Sequence, residues 1–258
     1  KTYLKMSKVE EDISLKDLLV LIEAKRDAGV PLSETELRVL DKQLIHLEKL
    51  KARELSQEKF IQFTARVWPT FISGKHHKRM AEAFERVARG ECKRLIINMP
   101  PRHTKSEFAS YLLPAWFLGK FPNKKVIQSS NTGELAVGFG RKVRNLVDSE
   151  VYSEIFPDLH LQADSKAAGR WNTSKGGDYF AIGVGGTVTG KGADLLIIDD
   201  PHSEQEAAQA ASSPEIYDKV YEWYTSGPRQ RLQPGGSIVI VMTRWAQRDL
   251  TGQVLKNA

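Results

Sequence analysis

One cysteine, Cys92, in 258 residues excludes an internal disulfide and any cage of cysteines around zinc. A reducing compartment fits that usage. Long apolar runs are also missing. The stretch Leu18–Ile22 is bracketed by Asp17 and Glu23, far short of the ~20 residues that span a bilayer, so no membrane contact is expected. No signal-peptide pattern opens the chain, and the expectation is a cytosolic protein. There is no internal repeat or low-complexity tract. Neither sign of charge prevails by much: 38 Lys and Arg against 32 Asp and Glu leave a net +6. That balance permits contact with nucleic acid without requiring it, because only a clustered patch binds a polyanion. What remains, 41% hydrophobic and 27% charged residues, is the composition of a globular protein with room for a sizeable core.

The chemistry is concentrated in Arg94-Leu-Ile-Ile-Asn-Met-Pro-Pro-Arg-His-Thr-Lys-Ser106. An aliphatic run (Leu95, Ile96, Ile97) breaks at a Pro-Pro turn, and Lys105-Ser106 opens a segment, Glu107 to Phe117, with helix-like apolar spacing. Strand, loop and helix in that order are the layout of a nucleoside-triphosphate site. The first turn of a helix leaves N–H groups unpaired and positive, ready for a phosphate. Lys105 would neutralise the β- and γ-phosphates and the Ser106 hydroxyl would ligate Mg²⁺. Glycine is absent where the usual phosphate-loop pattern has it, at positions 99 and 104, which hold Met99 and Thr104. A second stretch, Leu195-Leu-Ile-Ile-Asp-Asp-Pro201, supports the same reading independently. It ends a buried strand in two carboxylates, at the C-terminal strand end where open α/β folds bind ligands and with the oxygen donors Mg²⁺ needs.

Around these stretches the chain reads as follows. Residues 1–58 form a charged helical extension and residues 59–258 the main domain. Ser14-Leu-Lys-Asp17 and Ser33-Glu-Thr-Glu36 resemble capping boxes, with Gly29 and Pro31 between the two helices they begin. Leu37, Leu40, Leu44 and Leu47 make an apolar stripe. The expectation is a hairpin in which each helix covers the other's stripe; the alternative is pairing with a partner. Further helices are predicted over Gln57–Val67 and Lys75–Arg89, the latter stopped by Gly90. In a phosphate-loop fold this segment borders the adenine, which makes Gln62, His76 and His77 candidates beside the base, against an ordinary surface or core role. Lys125–Ser130 is a strand, Glu134–Val147 a helix whose Arg141, Lys142 and Arg144 are either a solvated face or a DNA contact. Arg170–Thr173 and Tyr179–Val184 form a hairpin, and five glycines between Gly183 and Gly192 a loop feeding the acidic strand. Glu204–Tyr224 is helical with a break at Ser213-Pro214. Ser237–Met242 is a further buried strand, with Thr243-Arg244-Trp245 at its C-terminal end. Alternating strands and helices with continuous aliphatic runs predict an α/β fold, a mostly parallel sheet covered on both faces.

Three blocks now stand in order: Asn98-Met-Pro-Pro-Arg-His-Thr-Lys-Ser-Glu107, Gly190-Lys-Gly-Ala-Asp-Leu-Leu-Ile-Ile-Asp-Asp-Pro201 and Thr243-Arg-Trp-Ala-Gln-Arg-Asp-Leu-Thr-Gly252. Together, over roughly residues 60–255, they resemble the ATPase domain of tailed-bacteriophage terminase large subunits. The resemblance implies an additional-strand P-loop NTPase that couples ATP hydrolysis to translocation of double-stranded DNA into a procapsid. It implies ATP binding by the loop residues Pro100, Pro101, Arg102, His103, Thr104, Lys105 and Ser106. Lys105 and Ser106 match the Walker A lysine and hydroxyl, and Asp199 the Walker B carboxylate that, with Ser106, holds Mg²⁺. Asp200 takes the place of the acid that orients or deprotonates the attacking water. That acid is often glutamate in such motors, so the shorter aspartate has to sit closer or act through an intervening water. Arg102 matches an arginine that senses or stabilises the γ-phosphate in cis, and Thr243 the coupling motif.

The same resemblance implies a homo-oligomeric ring during packaging and a monomer in isolation. It further implies a place in the cytoplasm of the infected bacterial host, docked on the procapsid. The portal and the small terminase subunit are the partners the N-terminal helices are expected to meet, unless those helices touch only their own domain. Lys191, Arg229 and Arg231 are candidates to act in trans from a neighbouring protomer. The chain stops just past the coupling motif, so no nuclease activity is expected of it. Two other readings stay open: a helicase-like nucleic-acid ATPase, and a non-catalytic relic of a P-loop serving as an interaction module. Thr104 also leaves two outcomes. Either the loop needs no left-handed residue there, which is the expectation, or phosphate binding is impaired.

Overall fold

A computed structural model describes residues 15–257. The Ser14–Asp17 capping box falls partly outside that range. The chain divides into two units, Lys1–Glu54 and Leu55–Ala258. The boundary lies inside one long helix, Glu34–Glu58, four residues before the break expected from the sequence.

In the first unit, the helix Leu15–Asp27 ends at Gly29, whose φ of 65° turns the chain. Ser33 and Glu36 make the predicted reciprocal box: the Ser33 N–H donates to Glu36 Oε2 at 2.7 Å and the Glu36 N–H to Ser33 Oγ at 3.3 Å. Lys25 pairs with the same carboxylate at 2.5 Å, and these bonds hold its pKa down at about 2. The apolar stripe is not covered as expected. Leu37, Leu44 and Leu47 are exposed, although Leu18 on the first helix is buried.

The second unit is built on a seven-stranded sheet in the order β1-β7-β6-β2-β5-β4-β3. The strands are β1 (Arg94–Asn98), β2 (Lys125–Ser130), β3 (Leu161–Ala167), β4 (Arg170–Thr173), β5 (Asp178–Gly183), β6 (Ala193–Asp199) and β7 (Leu232–Met242). The run from β1 to β5 is parallel; β4 and β3 add to it antiparallel. β3 was not foreseen: Leu161-Gln-Ala-Asp-Ser-Lys-Ala167 alternates, but with alanine and serine where strands usually carry β-branched or aromatic residues.

Burial on both faces explains the unbroken aliphatic runs. Leu195, Ile197, Val239 and Val241 face a core with Phe60, Phe63, Phe84, Phe108, Trp116 and Tyr152. The alternate residues Leu196, Ile198, Ile238, Ile240 and Met242 face a second core with Val220, Tyr224 and Leu250. In the first, Phe60 meets Phe84, Phe108 and Trp116 edge-on at 5.3–5.5 Å, the geometry that ring quadrupoles favour.

Two helices differ from expectation for identifiable reasons. Gln57 and Glu58 finish the long helix, and a new one runs Phe60–Val67. The break is held by side chains. Glu85 accepts from the Phe60 N–H at 3.0 Å, while Trp116 Nε1 and Lys120 Nζ donate to the carbonyls of Ser56 and Gln57. The segment after the phosphate loop is a π-helix over Glu107–Leu112 and only then an α-helix, Leu113–Lys120. Pro114, which has no N–H to give, is the second residue after the widened segment.

Candidate nucleotide-hydrolysis site

β7 lies between β1 and β6, so one strand separates the strand leading to the loop from the strand ending in the acid pair. All three are parallel, and their C-terminal ends share one rim. That rim gathers the loop 99–106, Asp199-Asp200 and Thr243.

Lys105 is buried at the mouth of its helix, and its Nζ pairs with Asp200 Oδ2 at 2.8 Å. The other oxygen, Asp200 Oδ1, accepts from the Thr243 N–H at 2.8 Å. Asp200 leaves the strand with φ of 40° while its N–H still donates to the Val241 carbonyl at 2.9 Å. That left-handed step turns its carboxylate toward Lys105. Thr243 also reaches the loop: its Oγ1 donates to the Met99 carbonyl at 3.3 Å, and the Met99 N–H donates to Met242 O at 3.1 Å. The phosphate loop, the acid and the end of β7 are therefore bonded to one another directly.

Asp199 behaves differently. It is 2% exposed, with Ser106 Oγ donating to Oδ1 at 3.0 Å and Ser110 Oγ to Oδ2 at 2.8 Å. Burial, and then the neighbouring Asp200 charge, push its pKa up to about 7, against the opposing pull of Ser110, Ser106 and Lys105. A hydroxyl and a carboxylate side by side are oxygen donors of the kind a hard divalent cation takes.

Ser110 was not anticipated, nor was Gln128. Ser110 stands four residues after Ser106, hence on the same side of the helix, and both lie over the acidic strand. Gln128, wholly buried in β2, donates to Ser110 Oγ at 3.3 Å and to Ser130 Oγ at 2.9 Å. A glutamine following Val126 and Ile127 in the strand Lys125–Ser130 was the available signal. Asp249 is a third. Fully buried, it accepts from Arg244 Nε at 2.8 Å and from the N–H groups of Trp245, Ala246 and Gly252. Burial pushes its carboxyl up, and those donors pull it net below the usual range. Thr251 Oγ1 bonds Asn98 at 3.1 Å, so the turn after Thr243 is anchored to the end of β1.

The loop itself is strained. Arg102 and Thr104 have φ of 62° and 59°. The expectation that position 104 needs no left-handed residue is therefore corrected: the conformation glycine would supply is present, held by a β-branched residue. Arg102 is exposed, and His103 Nδ1 bonds the Pro101 carbonyl at 2.9 Å. His77 meets the loop at Thr104 Oγ1, 2.6 Å from its Nε2, whereas Gln62 is exposed on the Phe60–Val67 helix. The His76 ring lies against that of His77, tilted by 44° with centres 3.8 Å apart.

Lys191, Arg229 and Arg231 lie elsewhere. They precede β6 and β7, at the N-terminal end of strands roughly 23 and 36 Å long. Lys191 pairs with Asp178 at 2.8 Å and lies over the Phe180 ring; Arg229 is exposed. Of the basic helix face, Lys142 is engaged by Glu107 at 2.8 Å.

A lysine at a helix mouth, paired carboxylates on the next-but-one strand and an intervening strand together define a P-loop NTPase fold of the additional-strand kind. Among solved structures the chain is similar to the large terminase of bacteriophage HK97, with a TM-score of 0.50 at 15% identity over 78% of this chain. The fold is accordingly terminase-like. The match covers 41% of that protein's chain. No protein-family model matches the sequence, and no curated protein does. No helix among the described residues is long and apolar enough to cross a membrane.

Proposed function

We propose that this chain is an Mg²⁺-dependent ATPase, the motor domain of a viral DNA-packaging terminase, which couples ATP hydrolysis to translocation of double-stranded DNA into a procapsid. The observation that carries the reading is the bonded set Lys105–Asp200–Thr243 beside Ser106–Asp199.

The reaction is transfer of the γ-phosphoryl group to water, in which positioning and charge neutralisation supply most of the catalysis. Ser106 and Asp199 would hold Mg²⁺, which would supply positive charge to offset that developing on the phosphates. Lys105 exchanges its ion pair with Asp200 for the incoming phosphate. That exchange frees Asp200 Oδ2 to accept a hydrogen bond from the attacking water, while the Thr243 N–H keeps Oδ1 in place. Arg102, exposed at the loop, contacts the γ-phosphate. Because Thr243 bonds both the acid and the loop carbonyl at Met99, a change in phosphate state alters the geometry at the end of β7. That is the coupling such a motor needs.

DNA is held through phosphates without regard to sequence, since a translocating motor must pass any base. A ring of protomers, the portal and the small subunit are the proposed partners, and the procapsid in the bacterial cytoplasm is the place of work. Arg229 is the freest of the three basic residues proposed to act across a subunit contact. The reading is tested by ATPase activity with and without double-stranded DNA over a range of salt. Stimulation that falls steeply as salt rises is expected; hydrolysis indifferent to DNA at low salt counts against the motor.

A further inference from the structure

We infer that His77 is a positioning residue: it straps Thr104 into the left-handed conformation that the loop requires and so substitutes for the missing glycine. The inference rests on the ATP-site reading for its consequence, though not for its geometry.

Thr104 pays for its φ of 59° in steric strain between Cβ and the backbone, and a strained residue persists only where its surroundings over-determine it. Here they do. The Gly74 N–H donates to His77 Nδ1 at 2.9 Å, which assigns the ring proton to Nε2. Nε2–H then donates to Thr104 Oγ1 at 2.6 Å, and the threonine hydroxyl donates to the His103 carbonyl at 2.7 Å. The side chain is thus fixed from both sides, and with it the backbone one residue before Lys105. The histidine is itself immobilised. It is 6% exposed, with Phe71 and Phe108 ring centres 4.8 and 4.9 Å away. Burial, with His76 and His103 nearby, lowers its pKa and keeps the ring neutral, the form in which Nδ1 can accept. This accounts for a histidine at the start of the Lys75–Ala88 helix without any contact to a base.

The test is a double-substitution cycle on the full chain, with His77→Ala, Thr104→Gly and their combination. It is read by affinity for a fluorescent ATP analogue with Mg²⁺ and by melting temperature without nucleotide. Loss of the strap is expected to weaken nucleotide binding about tenfold with threonine at 104, the scale of one buried hydrogen bond. With glycine at 104 the same loss should be less than threefold. His77→Gln, which keeps a donor near the Nε2 position, should recover most of the affinity. Melting should show the same non-additivity: the drop common to both backgrounds is lost packing on Phe71 and Phe108, and the excess with threonine is the strap. Equal drops and equal affinity losses in both backgrounds would overturn the inference. A parent chain that binds no nucleotide would sink the ATP reading alone, and the melting cycle would still decide the role of His77.

Discussion

Replacing Asp199 by asparagine should stabilise the protein while abolishing its proposed activity. The carboxyl is 2% exposed and its pKa is raised from 3.8 to about 7, chiefly by burial. A carboxyl whose folded pKa exceeds its unfolded one holds its proton longer in the native state. Its favourable contribution is therefore complete below pH 3.8 and is lost as pH rises through 7. The linked free energy is up to about 4 kcal/mol, which for a domain of this size corresponds to melting shifts on the order of 8 °C or more. Asparagine has the same shape and carries no charge; its amide oxygen accepts from one of the two serine hydroxyls, and its NH₂ donates to the other. Melting curves in metal-free buffer should show the parent losing stability between about pH 4 and pH 7 and levelling off above, while Asp199→Asn loses much less. The two should converge near pH 4. Parallel curves across that range would refute the claim that Asp199 is buried at a cost in its charged form.

Ser110→Ala removes a donor that lowers the Asp199 pKa. Hydrolysis should fall several-fold at pH 7 and recover toward pH 8.5, whereas a loss independent of pH would deny Ser110 this role. Gly252→Ala should lower the melting temperature sharply, because a Cβ there would stand 1.8 Å from the Gln247 carbonyl oxygen. The control Gly138→Ala, in an exposed helix position with nothing within 4 Å, should gain about 0.5–1 kcal/mol. Equal effects at the two glycines, measured by denaturant unfolding, would contradict the packing of the Asp249 turn. Asp249→Ala leaves Arg244 and three backbone N–H groups without their acceptor, and should cost at least about 3 kcal/mol. A loss under 1 kcal/mol would place that turn outside the fold's stable part.

The parts most legible in the sequence were those under strong local constraint. Four aliphatics before Asp199-Asp200 could only be a strand covered on both faces, and the order of the three motif blocks placed their ends on one rim. The Ser33–Glu36 box and the Arg170–Gly183 hairpin were equally plain. What escaped was set by contacts distant in sequence. Glu85 and Trp116 decide where the long helix breaks, and nothing near Lys59 announces them. Ser110 matters only because a helix lies over β6, and the polar stretch of β3 becomes a strand because β4 offers an edge. Thr104 is the sharpest instance. Local preference argued against a left-handed threonine, and the conformation is held from outside the loop by His77 on another helix.

The central claim is that Lys105 stands where a triphosphate binds and is hydrolysed. Phosphate release from ATP by the intact chain and by Lys105→Ala, at matched protein concentration with Mg²⁺, tests it most directly. Measurable turnover is expected in the parent and at least about a hundredfold loss in the variant, with nucleotide binding lost as well. Equal turnover in the two chains would contradict it.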